Sequence, residues 1–306
     1  MPCIQGALPP AKAAILQDGF AILRETKLVG RPARIHKPGM GKTILVTGAG
    51  SGLGEGAALA LARAGHRVIA TVQIAPQVTA LRRKVEELGL TTIEVEKLDL
   101  LDAYDVAQAL KCDIDVLFNN AGIGEAGPVS EMPIDLVRRN FETNLFAPLV
   151  LTQGFIARWV AEKRPGKIVF CSSIGGLFTP AGFGVYAATK HALEAMAEAM
   201  QQELAPFGIK VQVVNPGPYS TGFTETMADT PFRWLDDGRN FTKRAAMRDL
   251  IDSTLWNDEV RLDPAEMIAR LVEIIPADDG KFRNVVPDFV EEVVRESQAE
   301  AWHRKI

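Results

Sequence analysis

Tyr186 and Lys190, whose side chains can each donate or accept a proton, are four positions apart in the stretch YAATK. On a helix, residues i and i+4 share one face, so this phenol and this ammonium can meet. A cation about 4 Å from the phenol, at an effective dielectric of 20, contributes roughly 4 kcal/mol, enough to move its pKa from about 10 towards 7. The pair would then donate a proton at neutral pH. Taken alone, it is explained equally well by a tyrosine that packs and a lysine that is solvated.

The composition limits the class of protein to which the chain can belong. Of its 306 residues, 47% are hydrophobic and 24% are charged, which is typical of a globular protein with a sizeable core. The net charge of −4 gives no reason to expect binding to nucleic acid, and no apolar run reaches the ~18 residues of a membrane span. Three cysteines without a CxxC pair and four scattered histidines predict reduced thiols, a cytoplasmic location and no metal site.

The elements that must position these residues follow from an alternating pattern. Residues 1–41 carry six basic and two acidic side chains, which predicts an N-terminal basic arm before one domain of residues 42–306. Within that domain, short apolar runs alternate with helical stretches, which predicts an α/β fold with a parallel, doubly wound sheet and helices on both faces. The runs are KTILVT, RVIATV, TTIEVEKL, DVLFNN, KIVFCS and IKVQVV.

A glycine-rich turn, TGAGSGLGEG, follows the first predicted strand. Gly48, Gly52 and Gly54 lie where the chain must turn tightly, approach a ligand with bare backbone and begin a helix close to the sheet. The free N–H groups at the start of that helix favour a pyrophosphate. Many such turns use glycine only to turn. The position of this one, after a strand and before an Ala/Leu-rich helix, favours a dinucleotide site.

With this turn the chain resembles the short-chain dehydrogenase/reductase family. The family's pattern TGxxxGxG begins at Thr47, and Ser51 stands where the extended branch of the family has a central glycine. Four further motifs follow in the family's order and spacing: NNAG (119–122), CSS (171–173), YAATK (186–190) and NPG (215–217). The C-terminal part is most similar to the branch with 17β-hydroxysteroid and retinol dehydrogenases. The resemblance implies a Rossmann-type fold and hydride transfer between a nicotinamide cofactor and a ketone or secondary alcohol.

The resemblance also implies a catalytic set of four residues. Tyr186 would donate the proton, tuned by Lys190, and Ser173, thirteen residues before the tyrosine, would hydrogen-bond the substrate oxygen. Ser172 is the structural alternative, because adjacent side chains of a strand face opposite ways and only one can reach the substrate. Asn144 matches the family's helix asparagine, which holds a water that links the lysine to solvent.

A cofactor-binding set is implied in the same way. The glycine turn would hold the pyrophosphate, the NNAG backbone would pass along the adenine ribose, and the residues after NPG would hold the nicotinamide end. Asp99 would accept from the adenine amino group; its alternative role, a helix N-cap, competes with Asp102. The full set is Gly48, Ser51, Gly52, Leu53, Gly54, Gln73, Asp99, Leu100, Asn120, Ala121, Gly122, Tyr186, Lys190, Pro216, Gly217 and Thr221.

The end of the second predicted strand bears on the choice of cofactor. An NAD-specific site needs an acid about 20 residues beyond the glycines, to accept from the ribose 2′-OH. Val72 and Gln73 stand there instead, so no carboxylate repels a 2′-phosphate. An arginine is also missing at Gln73, although Arg82 and Arg83 follow on the next helix. We expect NADP(H) to be favoured over NAD(H).

Residues 218–262 are rich in large apolar side chains, which predicts a lid over a mostly apolar pocket. An ordinary helical insertion that packs on the core is the alternative. The lid predicts a lipophilic ketone or secondary alcohol as substrate. The chain lacks the DGG ending of many tetrameric relatives, so a homodimer is expected rather than a tetramer. A rival function is a non-catalytic regulator that binds NADP(H) with the same fold, although such proteins commonly lose the tyrosine or the lysine.

Overall fold

The computed structural model describes residues 41–255 and 262–305. The N-terminal basic arm predicted for residues 1–41 lies outside the described residues except for Gly41. The described residues form one sheet surrounded by helices, which confirms the predicted α/β fold class.

Within the described residues, seven parallel strands form the sheet in the order β3-β2-β1-β4-β5-β6-β7. The chain adds strands on one side of β1 and then crosses to the other side with β4. At such a switch point, ligands bind outside the carboxyl ends of the strands. The strands are β1 Thr43–Val46, β2 Arg67–Val72, β3 Ile93–Lys97, β4 Val116–Asn119, β5 Gly166–Cys171, β6 Ile209–Pro216 and β7 Arg283–Val286.

Ten α-helices connect these strands within the part of the chain that the structure describes. A π-helical turn, Glu142–Phe146, joins α4 to α5, and a 3₁₀ turn, Ile174–Gly176, follows β5. The helices are α1 Gly52–Arg63, α2 Ala75–Glu87, α3 Ala103–Ala109, α4 Ile134–Phe141, α5 Ala147–Ala161, α6 Gly184–Leu204, α7 Phe223–Asp229, α8 Arg244–Leu255, α9 Pro264–Ile274 and α10 Phe289–Ala301.

The apolar runs become strands because helices cover both faces of the sheet. Every residue of β1 is buried, and its side chains divide between two cores: Ile44 and Val46 enter one, whereas Leu45 enters the other. Strands that are buried on both faces appear in the sequence as continuous apolar runs. The edge strand β3 instead alternates, with Ile93 and Val95 buried and the residues between and after them exposed.

Two features of the fold go beyond the sequence prediction. Strand β7 was not predicted, because only four residues, RNVV, carry it before Pro287 ends the run. The predicted lid is largely helical, with α7 and α8 and a 3₁₀ turn between them. Its base is closed, since Tyr219 pairs with Leu262 and the Ser220 N–H donates to the Leu262 carbonyl at 3.0 Å.

Candidate active site

The glycine turn after β1 brings its own backbone next to the loop after β4. Gly48 has φ +67°, and a Cβ there would lie 2.8 Å from Ala121 Cα, so only glycine fits both the conformation and the space. The backbone N–H groups of Asn120 and Ala121 both donate to Thr47 Oγ1 at 3.0 Å. The Asn120 amide donates in turn to the Thr47 carbonyl at 3.0 Å. The predicted pyrophosphate and ribose residues therefore form one connected surface.

The start of α1 is suited to an anion. Ser51 is its N-cap and has extended backbone, but its side chain makes no capping hydrogen bond within the described residues. The first N–H groups of this 12-residue helix therefore keep their donor capacity. Thr221, from the loop after β6, lies over this turn, with its Cβ 3.2 Å from the position that a Cβ on Gly52 would take. The residues predicted for the pyrophosphate and those predicted for the nicotinamide end are thus adjacent.

Asn144 lies in the π-helical turn, where its amide is fully engaged. Its Oδ1 accepts from the Ile123 N–H at 2.8 Å, and its Nδ2 donates to the Ile123 carbonyl and to Thr189 Oγ1 at 2.8 and 3.1 Å. A Cβ on Gly122 would lie 3.2 Å from that Oδ1 and 3.8 Å from Lys190 Nζ. The asparagine and the lysine therefore meet at a glycine whose missing side chain leaves room for both.

Of the two adjacent serines, Ser173 lies on the side of Tyr186. A Cβ on Gly175 would lie 3.4 Å from Ser173 Oγ and 3.5 Å from Tyr186 Cε1, and Ser173 Oγ accepts from the Gly175 N–H at 3.0 Å. The Ser172 hydroxyl is buried on the other side, towards Gly176, and has no hydrogen-bond partner among the described residues. This arrangement supports the choice of Ser173 over Ser172.

The expected lowering of the Tyr186 pKa is wrong. Burial raises the pKa of this phenol above its ordinary value, and the Ser173 hydrogen bond opposes the rise only in part. Lys190 Nζ lies 5.7 Å from the centroid of the tyrosine ring and donates to the Cys171 carbonyl at 2.8 Å. Part of the ammonium's hydrogen-bonding capacity is therefore taken by a backbone carbonyl, and the phenol has lost the hydration that would stabilise its anion.

Lys190 is itself buried. Loss of hydration lowers the pKa of its ammonium, while the neighbouring Cys171 and Glu194 act to raise it. A protonated lysine at this position therefore depends on the groups packed around it.

The ends of β2 and β3 hold the residues predicted to face the adenosine. Gln73, directly after β2, is exposed, and the Gln77 Oε1 accepts from the backbone N–H groups of Gln73 and Ile74 at 3.1 and 3.2 Å. Asp102 caps α3 by accepting from Tyr104 and Asp105 N–H groups, so the N-cap alternative for Asp99 is wrong. One Asp99 oxygen, Oδ1, accepts from the Leu101 N–H at 3.1 Å.

The predicted lid packs onto Tyr186. Tyr186 belongs to a buried apolar cluster with Met227, Leu235, Met247 and Ile251 of the lid. A further lid residue, Phe223, lies with its ring centroid 5.8 Å from that of Tyr186 and is 37% exposed. The described part of the segment is helical and packs on the core, as the helical-insertion alternative expects, and its role as a lid over a substrate pocket stays a prediction. Trp256, another apolar residue of the predicted lid, lies outside the described residues.

A family model of short chain dehydrogenases matches residues 42–231, well over half of the chain. The chain belongs to the short-chain dehydrogenase family. It is therefore an NAD(P)-dependent dehydrogenase or reductase, as the motifs predicted. Among the described residues, no helix is long and apolar enough to cross a bilayer, and no His, Cys, Asp and Glu side chains gather into a potential metal site.

Two relatives and two solved structures illustrate the similarity. Retinol dehydrogenase 8 of Bos taurus is 34% identical over 189 residues, 60% of this chain and 60% of that protein. The 3-ketodihydrosphingosine reductase of Bacteroides thetaiotaomicron is 30% identical over 270 residues, 84% of this chain and 91% of that protein. A short-chain dehydrogenase from Streptomyces avermitilis has a TM-score of 0.69 at 28% identity, covering 86% of this chain and 94% of its own. A structure of actinorhodin polyketide ketoreductase with NADPH has a TM-score of 0.64 at 26% identity, covering 80% of this chain and 95% of its own.

Three residues at this short-chain dehydrogenase site are not predicted by the sequence motifs. Thr189 binds the Asn144 amide, the Gln77 side chain reaches back from α2 to the backbone N–H groups that follow β2, and Glu194 is buried one turn beyond Lys190. Gln77 could have been found, since a glutamine three residues after a helix start often caps the backbone there. Glu194 offered a weaker signal, because a glutamate on a helix is usually solvated.

Proposed function

We propose that this short-chain dehydrogenase transfers a hydride between NADP(H) and a lipophilic ketone or secondary alcohol. The observation that carries the proposal is the apolar cluster of lid residues packed against Tyr186. A substrate whose oxygen reaches this phenol would place its carbon chain among methionine, leucine and phenylalanine side chains. The names of two relatives, a ketodihydrosphingosine reductase and a retinol dehydrogenase, support a substrate of this kind.

The residues present fit a dinucleotide. The uncapped start of α1 would hold the pyrophosphate, and the bare backbone at Gly48 and Gly122 would let the cofactor approach closely. Asp99 would hold the adenine end, and Pro216, Gly217 and Thr221 the nicotinamide end. The bound cofactor would supply the hydride and, when oxidised, would add a positive charge to the site.

The chain's own residues would manage the proton and the substrate oxygen. Ser173 would donate a hydrogen bond to that oxygen, and Tyr186 would give it the proton during reduction. In this role, the Lys190 charge would stabilise the tyrosinate that remains. Asn144, with Oδ1 beside Gly122 and Lys190, would hold the water that returns a proton to the lysine.

A homologous series of methyl ketones, assayed by NADPH consumption, tests the substrate class. Each added methylene that the lid buries contributes about 0.8 kcal/mol, so we expect kcat/KM to rise about fourfold per carbon until the pocket is filled. Phe223→Ala should flatten this slope, because Phe223 lies beside Tyr186. Phe241→Ala is the matched control: it removes a lid phenylalanine that is 74% exposed and should leave the slope unchanged. Equal kcat/KM across the series, or a preference for polyhydroxylated ketones, would contradict the proposal.

The cofactor preference is tested by titrating NADPH and NADH separately and following the cofactor fluorescence. We expect NADPH to bind more tightly, because no acid at Val72 or Gln73 repels its 2′-phosphate. Gln73→Arg should strengthen NADPH binding about fivefold, the effect of ~1 kcal/mol from an exposed charge pair. Gln73→Asp, which places a carboxylate at the end of β2, should reverse the preference. NADH binding at least as tightly as NADPH in the parent would show that the preference is wrong.

Assembly and location stay predictions. Phe146, at the end of the π-helical turn, and Val150, in the first turn of α5, are both exposed and lie one helical turn apart, which supports a dimer formed through a helix face. A cytoplasmic location rests on the composition and on the free thiols.

A further inference from the structure

A chain of polar contacts runs behind the catalytic residues, from the edge strand β7 to Ser173. Arg283 Nη2, on β7, contacts Glu194 Oε2 at 3.0 Å. The other Glu194 oxygen accepts from Asn215 Nδ2 at 2.6 Å, and the same Nδ2 donates to the Ser173 carbonyl at 3.1 Å. Glu194 and Asn215 are 5% and 0% exposed, so this chain is closed to water over most of its length.

The carboxylate in this chain lies one helical turn beyond Lys190. Residues i and i+4 of a helix are neighbours, so Glu194 and Lys190 interact through a largely buried region in which charges are weakly screened. Two titratable groups besides Glu194 adjoin the ammonium: Tyr186 on the same helix and Cys171 on β5. The uncharged amide of Asn144 faces it from the π-helical turn.

Arg283 limits how much of this negative charge the lysine experiences. Its guanidinium neutralises Glu194 from the side away from the site, and it also lies 3.8 Å from Glu198, the next acid along α6. A buried carboxylate that retains its charge needs such a partner. The two residues therefore act as a balanced pair rather than as isolated charges.

We propose that Glu194 and Arg283 are positioning residues that set the charge of Lys190 and hold the Ser173 carbonyl from behind the site. The inference rests on the proposed catalytic role of Lys190, although the coupling itself can be measured without turnover. It assigns a function to the edge strand β7, because β7 supplies the arginine. Asn215, the first residue of NPG, connects the pair to the serine.

The test follows the titration of Lys190 by NMR in the full chain labelled with ε-¹³C lysine, with the signal assigned by its absence in Lys190→Met. Glu194→Gln should lower the pKa of Lys190 by about one pH unit, because it removes a nearby negative charge and keeps the shape. Arg283→Met should raise it, because the Glu194 charge is then unopposed. Arg283→Lys, which keeps the charge, should restore the parental value. The control Glu203→Gln, at an exposed acid farther along the same helix, should leave it unchanged.

The decisive result is a Lys190 pKa that shifts in opposite directions in Glu194→Gln and Arg283→Met. If the two residues had only a structural role, both variants would weaken the fold without opposite effects on this pKa. Shifts in the same direction, or none in either variant, would overturn the inference. If Arg283→Met does not fold, the comparison of Glu194→Gln with Glu203→Gln decides. If the Lys190 pKa shifts as expected but the protein reduces no ketone, the coupling of Glu194 and Arg283 to Lys190 is supported and the proposed function is contradicted. In an active enzyme, the alkaline limb of ketone reduction should move in the same direction as the lysine pKa.

Discussion

A Tyr186→Phe variant is expected to lose ketone reduction by about 10²–10⁴-fold, the contribution of a positioned proton donor. The phenylalanine ring would fill the same place in the lid cluster, beside Phe223, so only the transferable proton is lost. Cofactor affinity should stay nearly unchanged. Steady-state rates with NADPH and a long-chain ketone, together with a fluorescence titration of NADPH, measure both quantities.

Tyr219→Phe is the matched control. Tyr219 is also buried, but its hydroxyl donates to Glu266 at 3.2 Å, in a different core from the lid cluster. Its removal should cost some stability and leave turnover within a few-fold of the parent. If Tyr186→Phe retains even a tenth of the parental rate, Tyr186 is not the proton donor and the proposed site is wrong.

Lys190→Met should be nearly as damaging, through two separable losses. Alcohol oxidation requires the tyrosinate as base, so its rate rises with pH through the pKa of Tyr186. With Lys190 Nζ 5.7 Å from the ring centroid, its charge contributes ~3 kcal/mol at an effective dielectric of 20, or about two pH units. The variant should therefore need a pH about two units higher for any residual oxidation. It should also bind the cofactor more weakly, if the lysine contacts the nicotinamide ribose as the family resemblance implies.

Lys167→Met provides the comparison with another buried lysine. Lys167 lies at the start of β5 and donates to the Ile274 and Ala277 carbonyls, each at 2.6 Å, near the end of α9. Losing these bonds should lower the urea midpoint while leaving the pH profile of oxidation in place. An unchanged pH profile in Lys190→Met would show that its charge does not act on the tyrosine.

The direction in which the pKa of Tyr186 shifts cannot be deduced from the spacing of Tyr186 and Lys190 alone. A spacing of four positions between a phenol and an ammonium indicates that they share a helix face, and they do. It does not indicate how much water the phenol loses or what else the ammonium binds. Here burial removes the water from the phenol and the Lys190 ammonium donates to the Cys171 carbonyl, and the pKa of Tyr186 rises.

The sequence by itself determined the family, the parallel sheet, the glycine turn and the set Asn144, Ser173, Tyr186 and Lys190 as candidates. These follow from short motifs and from periodicity, because neighbours along a strand, turn or helix have a fixed geometry. Only the tertiary structure decided which serine faces the tyrosine and that Asp102 caps α3. It also decided that β7 brings Arg283 to Glu194, residues 89 positions apart in the chain. Burial, charge neutralisation and hydrogen-bond choice depend on such distant partners, and no local pattern encodes them.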